Sequence, residues 1–147
     1  MIIKQTPVER RLWASGAIGT DKSEGKLVKA SADGKTMSLL TSASDIPDGV
    51  VSNPDGRDGA GNGGDLVRMS HPGIVQVRLN DTPGTIEDGT DLVACADATV
   101  KAATGAAGEV VVAKSVAPNT SGQGGCLHDA ILVARPAATP EAASDNS

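Results

Sequence analysis

The chain has no phenylalanine and no tyrosine, and Trp13 is its one aromatic residue. Modules that hold single-stranded nucleic acid or sugar do so by stacking on aromatic faces, and one indole cannot build such a platform. Positive charge is also short: 13 Lys and Arg face 18 Asp and Glu, a net charge of −5. A chain acidic overall lacks the broad basic face that grips a phosphate backbone, so no nucleic-acid partner is expected. No apolar run nears the roughly 20 residues of a bilayer span. The opening Met1-Ile2-Ile3-Lys4-Gln5 lacks the apolar stretch of a secretory signal. No membrane partner is expected either, and the chain reads as made and kept in a reducing cytosol. Its two cysteines, Cys95 and Cys126, are then expected free rather than bridged. Large apolar side chains are scarce as well. The hydrophobic share is 39%, but 21 of those residues are alanines, which predicts a thin core.

What is present is a strand pattern. Val28, Ala30 and Ala32 alternate with Lys29 and Ser31, and Asp33-Gly34 then supplies a hairpin turn. A two-residue turn there pairs Ala30 with Met37 and Val28 with Leu39, placing all four on one face and Lys29, Ser31, Thr36 and Ser38 on the other. The pattern recurs. Leu92-Val93-Ala94-Cys95-Ala96-Asp97-Ala98 resembles the run from Leu27 to Gly34, and a turn at Asp97-Ala98 pairs Cys95 with Val100 and Val93 with Ala102. After each hairpin a glycine introduces a valine-rich strand, Gly49-Val50-Val51 and Gly108-Glu109-Val110-Val111-Val112-Ala113. These repeats predict a duplicated β unit over about 25–51 and 88–117. Further strands are expected at Val75-Gln76-Val77-Arg78-Leu79 and Ala130-Ile131-Leu132-Val133-Ala134. No stretch keeps a helical period over 11 residues. The fold class is therefore all-β: a small sandwich or barrel of short antiparallel strands with an internal duplicated hairpin unit.

Three regions follow from composition. Residues 14–135 form the β domain. Residues 136–147, from Pro136 onward, are Pro, Ala, Thr, Glu, Ser, Asp and Asn and read as a flexible tail. Residues 1–13 read as an arm, with a short helical turn from Pro7 to Trp13. Lys4, Arg10 and Arg11 outweigh Glu9 there, while the rest of the chain is acidic. Ile2, Ile3, Leu12 and Trp13 add apolar grip, and Trp and Arg are the residues enriched at interface hot spots. Ile2, Ile3, Arg10, Arg11, Leu12 and Trp13 are thus the expected anchor on a neighbouring subunit or on the shell, with anchoring in the core the other reading of Trp13.

The chemistry-bearing motifs are incomplete. Gly59-Ala60-Gly61-Asn62-Gly63-Gly64 fits GxGxxG, but a strand rather than a helix follows it at Asp65-Leu66-Val67, so it reads as a flexible loop. Asn53, Asp55, Asp58, Asn62 and Asp65 alternate as calcium ligands can, yet Arg57 and Asp58 occupy the positions where a calcium loop wants an acid or amide and then a glycine. Cys126-Leu127-His128, with Cys95 and His71, matches no zinc spacing. No serine lies in a nucleophile elbow, and Glu87-Asp88, Asp45 and Asp48 lie in turn sequence. No enzyme, metal or cofactor is expected.

The hairpins Asp88-Gly89-Thr90-Asp91-Leu92-Val93 and Ala96-Asp97-Ala98-Thr99-Val100-Lys101-Ala102-Ala103, the strand from Gly108 to Ala113 and the last strand from Ala130 to Ala134 resemble the capsid decoration, or cement, proteins of tailed bacteriophages. The earlier copy from Glu24 to Met37 matches more loosely. The resemblance spans residues 73–135 and, less closely, 16–51. It implies a structural virion protein on the exterior of an icosahedral capsid. Such a protein clamps neighbouring major capsid subunits, sits as a homo-oligomer, commonly a trimer, and performs no chemistry. The alternatives are another phage structural module of tail, baseplate or fibre head, and a small β-domain enzyme or enzyme accessory domain.

Overall fold

The computed structural model describes residues 10–14, 23–52 and 63–140. All elements of regular structure there are strands: β1 (Arg10–Ala14), β2 (Leu27–Ala30), β3 (Thr36–Leu39), β4 (Gly49–Ser52), β5 (Gly63–Arg68), β6 (Ile74–Arg78), β7 (Asp91–Ala94), β8 (Val100–Ala102), β9 (Val111–Ser115) and β10 (Leu127–Leu132). The chain is all-β, as its alternating pattern predicts.

The first hairpin has the expected register, with Val28 opposite Leu39 and Ala30 opposite Met37. Its turn differs in detail. Gly34 N–H donates to Ser31 O at 2.9 Å, Gly34 has φ +70°, and Asp33 is not in the left-handed region, so the turn is not type I′. Asp33 Oδ1 accepts the Lys35 N–H at 3.0 Å and locks the turn. The second hairpin is one residue out of the expected register: Ala94, not Cys95, lies opposite Val100, and Leu92, not Val93, opposite Ala102. The loop is one residue shorter than in the first hairpin: Cys95 N–H on Thr99 O closes three residues, ending on Ala98 at φ +71°, where Ser31 N–H on Thr36 O closes four. Asp97 Oδ1 accepts Thr99 N–H just as Asp33 accepts Lys35. Ser31-Ala32-Asp33-Gly34 and Cys95-Ala96-Asp97-Ala98 share one four-residue turn, with Gly34 N–H on Ser31 O and Ala98 N–H on Cys95 O, and the first loop adds Lys35 after it.

The duplication is larger than the sequence suggests. The first sheet runs β1-β5-β4-β2-β3 and the second β6-β10-β9-β7-β8, antiparallel at every one of these neighbours. Registers match as well as order. Val28 pairs with Gly49 and Leu39, and Gly49 with Arg68; Leu92 pairs with Ala113 and Ala102, and Ala113 with Leu132. Trp13 opposite Gly63 corresponds to Arg78 opposite Leu127. Corresponding residues stand about 64 positions apart in all five strands. Each unit also joins its first and third strands by a parallel seam: Trp13–Thr36 and Ala14–Met37 in the first, Leu79–Val100 in the second. The seam rolls each sheet on itself, most fully in the first unit, where it carries β1 from one edge to the other.

Two boundaries move. The backbone from Arg10 to Ala14 is a strand of the first unit, so the helical turn expected up to Trp13 is not formed over these residues, and the arm does not begin to separate at residue 13. This segment has no alternating pattern. It pairs because its main-chain groups satisfy the open edges of β5 and β3, which requires no particular side chains. The tail does not begin at Pro136 either. Ala138 bridges Val110, with Gly108 N–H on Thr139 O and Thr139 N–H on Glu109 O. Residues 1–9 and 141–147 lie outside the described part.

Alternation sets the core. A small cluster of Val28, Met37, Val51 and Leu66 fills the first unit. A larger one fills the second and runs on between the units, taking in Leu27, Val50 and Val67 from the outside of the first together with Val77, Ile86, Ala98 and Val110. Gly25 sits at this junction with φ +84°. A Cβ there would lie 2.8 Å from Arg78 N and 2.6 Å from Leu127 Cδ2. The close approach lets Arg78 N–H reach Gly25 O at 2.9 Å, while Arg78 Nε donates to Glu24 O at 3.1 Å.

Candidate functional site

The polar groups most suggestive of chemistry are Ser115 on β9 and His128 on β10, both buried, with Oγ and Nε2 2.7 Å apart. In the first unit the corresponding places hold Val51 and Gly64, so the second unit has replaced apolar filling by a polar pair. Ser115 Oγ also bonds the Ala117 carbonyl and accepts the Ala117 N–H at 3.2 Å, so the hydroxyl is tied into the turn that follows β9. The pair satisfies buried groups and fixes the turn after β9.

The remaining candidates separate. Cys95 is buried in the second turn, and burial pushes its thiol up, against the opposing hydrogen bond with Thr99. Cys126 turns its sulfur toward Gln123 O at 3.8 Å, and both cysteines are free thiols. Among the described residues no three His, Cys, Asp or Glu side chains gather where they could hold a metal ion. Glu109 takes the N–H groups of Thr104 and Gly105 at 3.0 Å and the Thr104 hydroxyl at 2.9 Å. Its burial raises the carboxyl, but these bonds together outweigh that and hold it below the ordinary value. It caps a loop. The glycine-rich and calcium-like run from Asn53 to Asn62 lies outside the described residues; Gly63 and Gly64 begin β5.

A cleft of about 330 Å³ lies at the junction of the units, between Val50, Val51 and Val67 on one side and Ile74, Val75 and Gln76 on the other. His71 is buried beside it, with no hydrogen-bond partner for Nδ1 among the described residues.

The surface holds a feature that the sequence reading passes over. Ile74 and Ile131 are cross-strand neighbours on β6 and β10, and they are 60% and 40% exposed. Ile131 is flanked on β9 by Lys114, which pairs with Asp91 at 3.7 Å. Gln76 and Asp129 form the next exposed pair along the two strands. The signal was in the phase of the alternation. Val75, Val77, Ala130 and Leu132 claim the inward positions, so an isoleucine on the outward phase is an apolar group left in water. Of the expected anchor residues, Arg10, Arg11, Leu12 and Trp13 lie on β1, and Ile2 and Ile3 fall outside the described residues.

No protein-family model matches the chain, and no curated protein matches it. Among solved structures it is similar to the N base of the head fibre protein gp8.5 of bacteriophage phi29. The TM-score is 0.54 at 19% identity, over 86% of this chain and 93% of that one. The likeness extends over both five-stranded units and is a likeness of fold.

Proposed function

We propose that the chain is a structural protein of a tailed-phage virion. It binds the outer surface of the icosahedral head as a homo-oligomer, commonly a trimer in proteins of this kind, and clamps neighbouring major capsid subunits without chemistry. The observation that carries this reading is the shared fold with a head-fibre base, present in nearly the whole of that chain. The acidic composition supports it, since a protein on the outside of the shell has no packaged nucleic acid to hold. In this reading residues 2–13 remain the anchor on the neighbour, with Arg10 to Trp13 held on a barrel strand rather than swinging on an arm.

The fibre base itself favours a second reading, in which the chain fastens a longer projection to the head instead of reinforcing the shell. One experiment addresses both. Purified full chain is mixed with expanded and unexpanded heads that lack it, and the heads are sedimented and then heated. The cement reading expects saturable binding to expanded heads and a higher temperature of head disruption. Binding without protection favours the fibre-base reading. Absence of binding to either form overturns both.

A further inference from the structure

The two units of the chain are joined head to tail. On the outside of the first unit Leu27, Val50 and Val67 are cross-strand neighbours, and all three are covered by the second unit. The joint is anchored by Leu27 N–H, which donates at 2.8 Å to the carbonyl of Ala98 in the second unit's turn. The register that maps one unit on the other carries Leu27, Val50 and Val67 to Asp91, Lys114 and Ile131. These three are also cross-strand neighbours, and Ile74, which lines the cleft between the units yet stays 60% exposed, extends their row on β6. All four are exposed. The complementary half of the joint is uncovered too: the turn matching Cys95–Ala98 is Ser31–Gly34, whose Ala32 and Asp33 are exposed, with Lys29 and Lys35 exposed beside them.

We propose that the row Asp91, Lys114, Ile131 and Ile74 binds the Ser31–Gly34 end of the first unit of a second copy of this chain, repeating between chains the joint that links the units within one. The charges agree with this occupant. The turn end carries Lys29, Lys35 and Asp33, and the row and its border carry Asp91, Asp129 and Lys114. The isoleucine pair supplies the apolar centre, and the charges set orientation and exclude other alignments. The contact is heterologous, because two different surfaces meet, so it propagates around a ring or along a line and is not spent in a single pair. The proposal rests on the self-association part of the function proposed above and is independent of binding to the shell.

The test uses the full chain and two variants, one with the face altered (Ile74→Asp with Ile131→Asp) and one with the turn end altered (Lys29→Asp with Lys35→Asp). All four positions are exposed, so each variant should retain the far-ultraviolet circular dichroism and melting temperature of the parent. Sedimentation equilibrium is expected to show an oligomer for the parent and association weakened about tenfold or more for each variant. An equimolar mixture of the two variants is expected to form a one-to-one dimer, since one intact face then meets one intact turn end. A monomeric parent, unchanged mass in the face variant, or a mixture that stays monomeric each overturns the proposal. So does loss of head binding by a face variant of unchanged mass, which assigns the row to the shell. A monomeric parent that still binds heads overturns the docking row and leaves the shell reading standing.

Discussion

Ala98 and Gly34 occupy the same place in the two copies of one turn, at φ +71° and +70°, and the same substitution logic gives different outcomes at each. Gly34 suits that geometry, so Gly34→Val should destabilise by about 1 kcal/mol or more through a β-branched residue at positive φ. Ala98→Gly relieves backbone strain of about 1 kcal/mol but removes a fully buried methyl worth about 0.8 kcal/mol. Urea unfolding should therefore place Ala98→Gly within about 1 kcal/mol of the parent. At Gly25 the obstacle is contact as well as φ. Gly25→Ala drives a methyl onto the Arg78 backbone and should cost about 2 kcal/mol or more by the same measurement. Asp97 gives a pH signature. Partial burial raises its carboxyl, but the side-chain and backbone hydrogen bonds of Thr99, with Lys26 and Asn80, outweigh it and hold the group below its ordinary 3.8. A carboxyl depressed in the folded state stabilises fully above its unfolded pKa, and that contribution is lost as pH falls through the folded value. Asp97→Asn should therefore flatten the fall in stability between about pH 5 and pH 2.

Strands differ in how much of their placement their own residues declare. β2 and β3 were readable because alternation and turn chemistry agree, and one face is buried, which fixes register. The β7–β8 hairpin was readable as a hairpin but not in register, because nothing in the letters Asp97-Ala98 marks an alanine in the left-handed region. Arg10-Arg11-Leu12-Trp13 does not alternate and so reads as part of an arm; the place of β1 is dictated by two edges, on β5 and β3, that lie far along the chain. The parallel seams are invisible for the same reason, being pairings without a local signature. Ile74 and Ile131, by contrast, were legible as outward-phase apolar residues once the inward phase was known. The strand role of β1 is testable. Deleting residues 2–14 bares the edges of β5 and β3, and should lower the melting temperature and promote aggregation at low micromolar concentration, whereas deletion of 2–9 should leave the fold in place. Unchanged melting in the longer deletion would return the segment to the status of a free arm.

At the scale of the molecule, two five-stranded units share one continuous core across their joint. The duplication explains how a chain without phenylalanine or tyrosine builds a fold of this length. Each unit has a thin interior, and the outside of the first becomes part of the interior of the pair. That arrangement has a consequence for biosynthesis. Leu27, Val50 and Val67 leave the ribosome well before the strands that cover them, because the second unit follows about 64 residues behind the first. At about 5–20 residues per second, that apolar row waits roughly 3–13 s for its own cover. During that interval it is open to the nascent second unit of a neighbouring chain on the same messenger, so crowded polysomes raise the chance of exchanged joints until the chain's own tethered unit arrives, and slow translation through residues 74–132 lengthens the exposure.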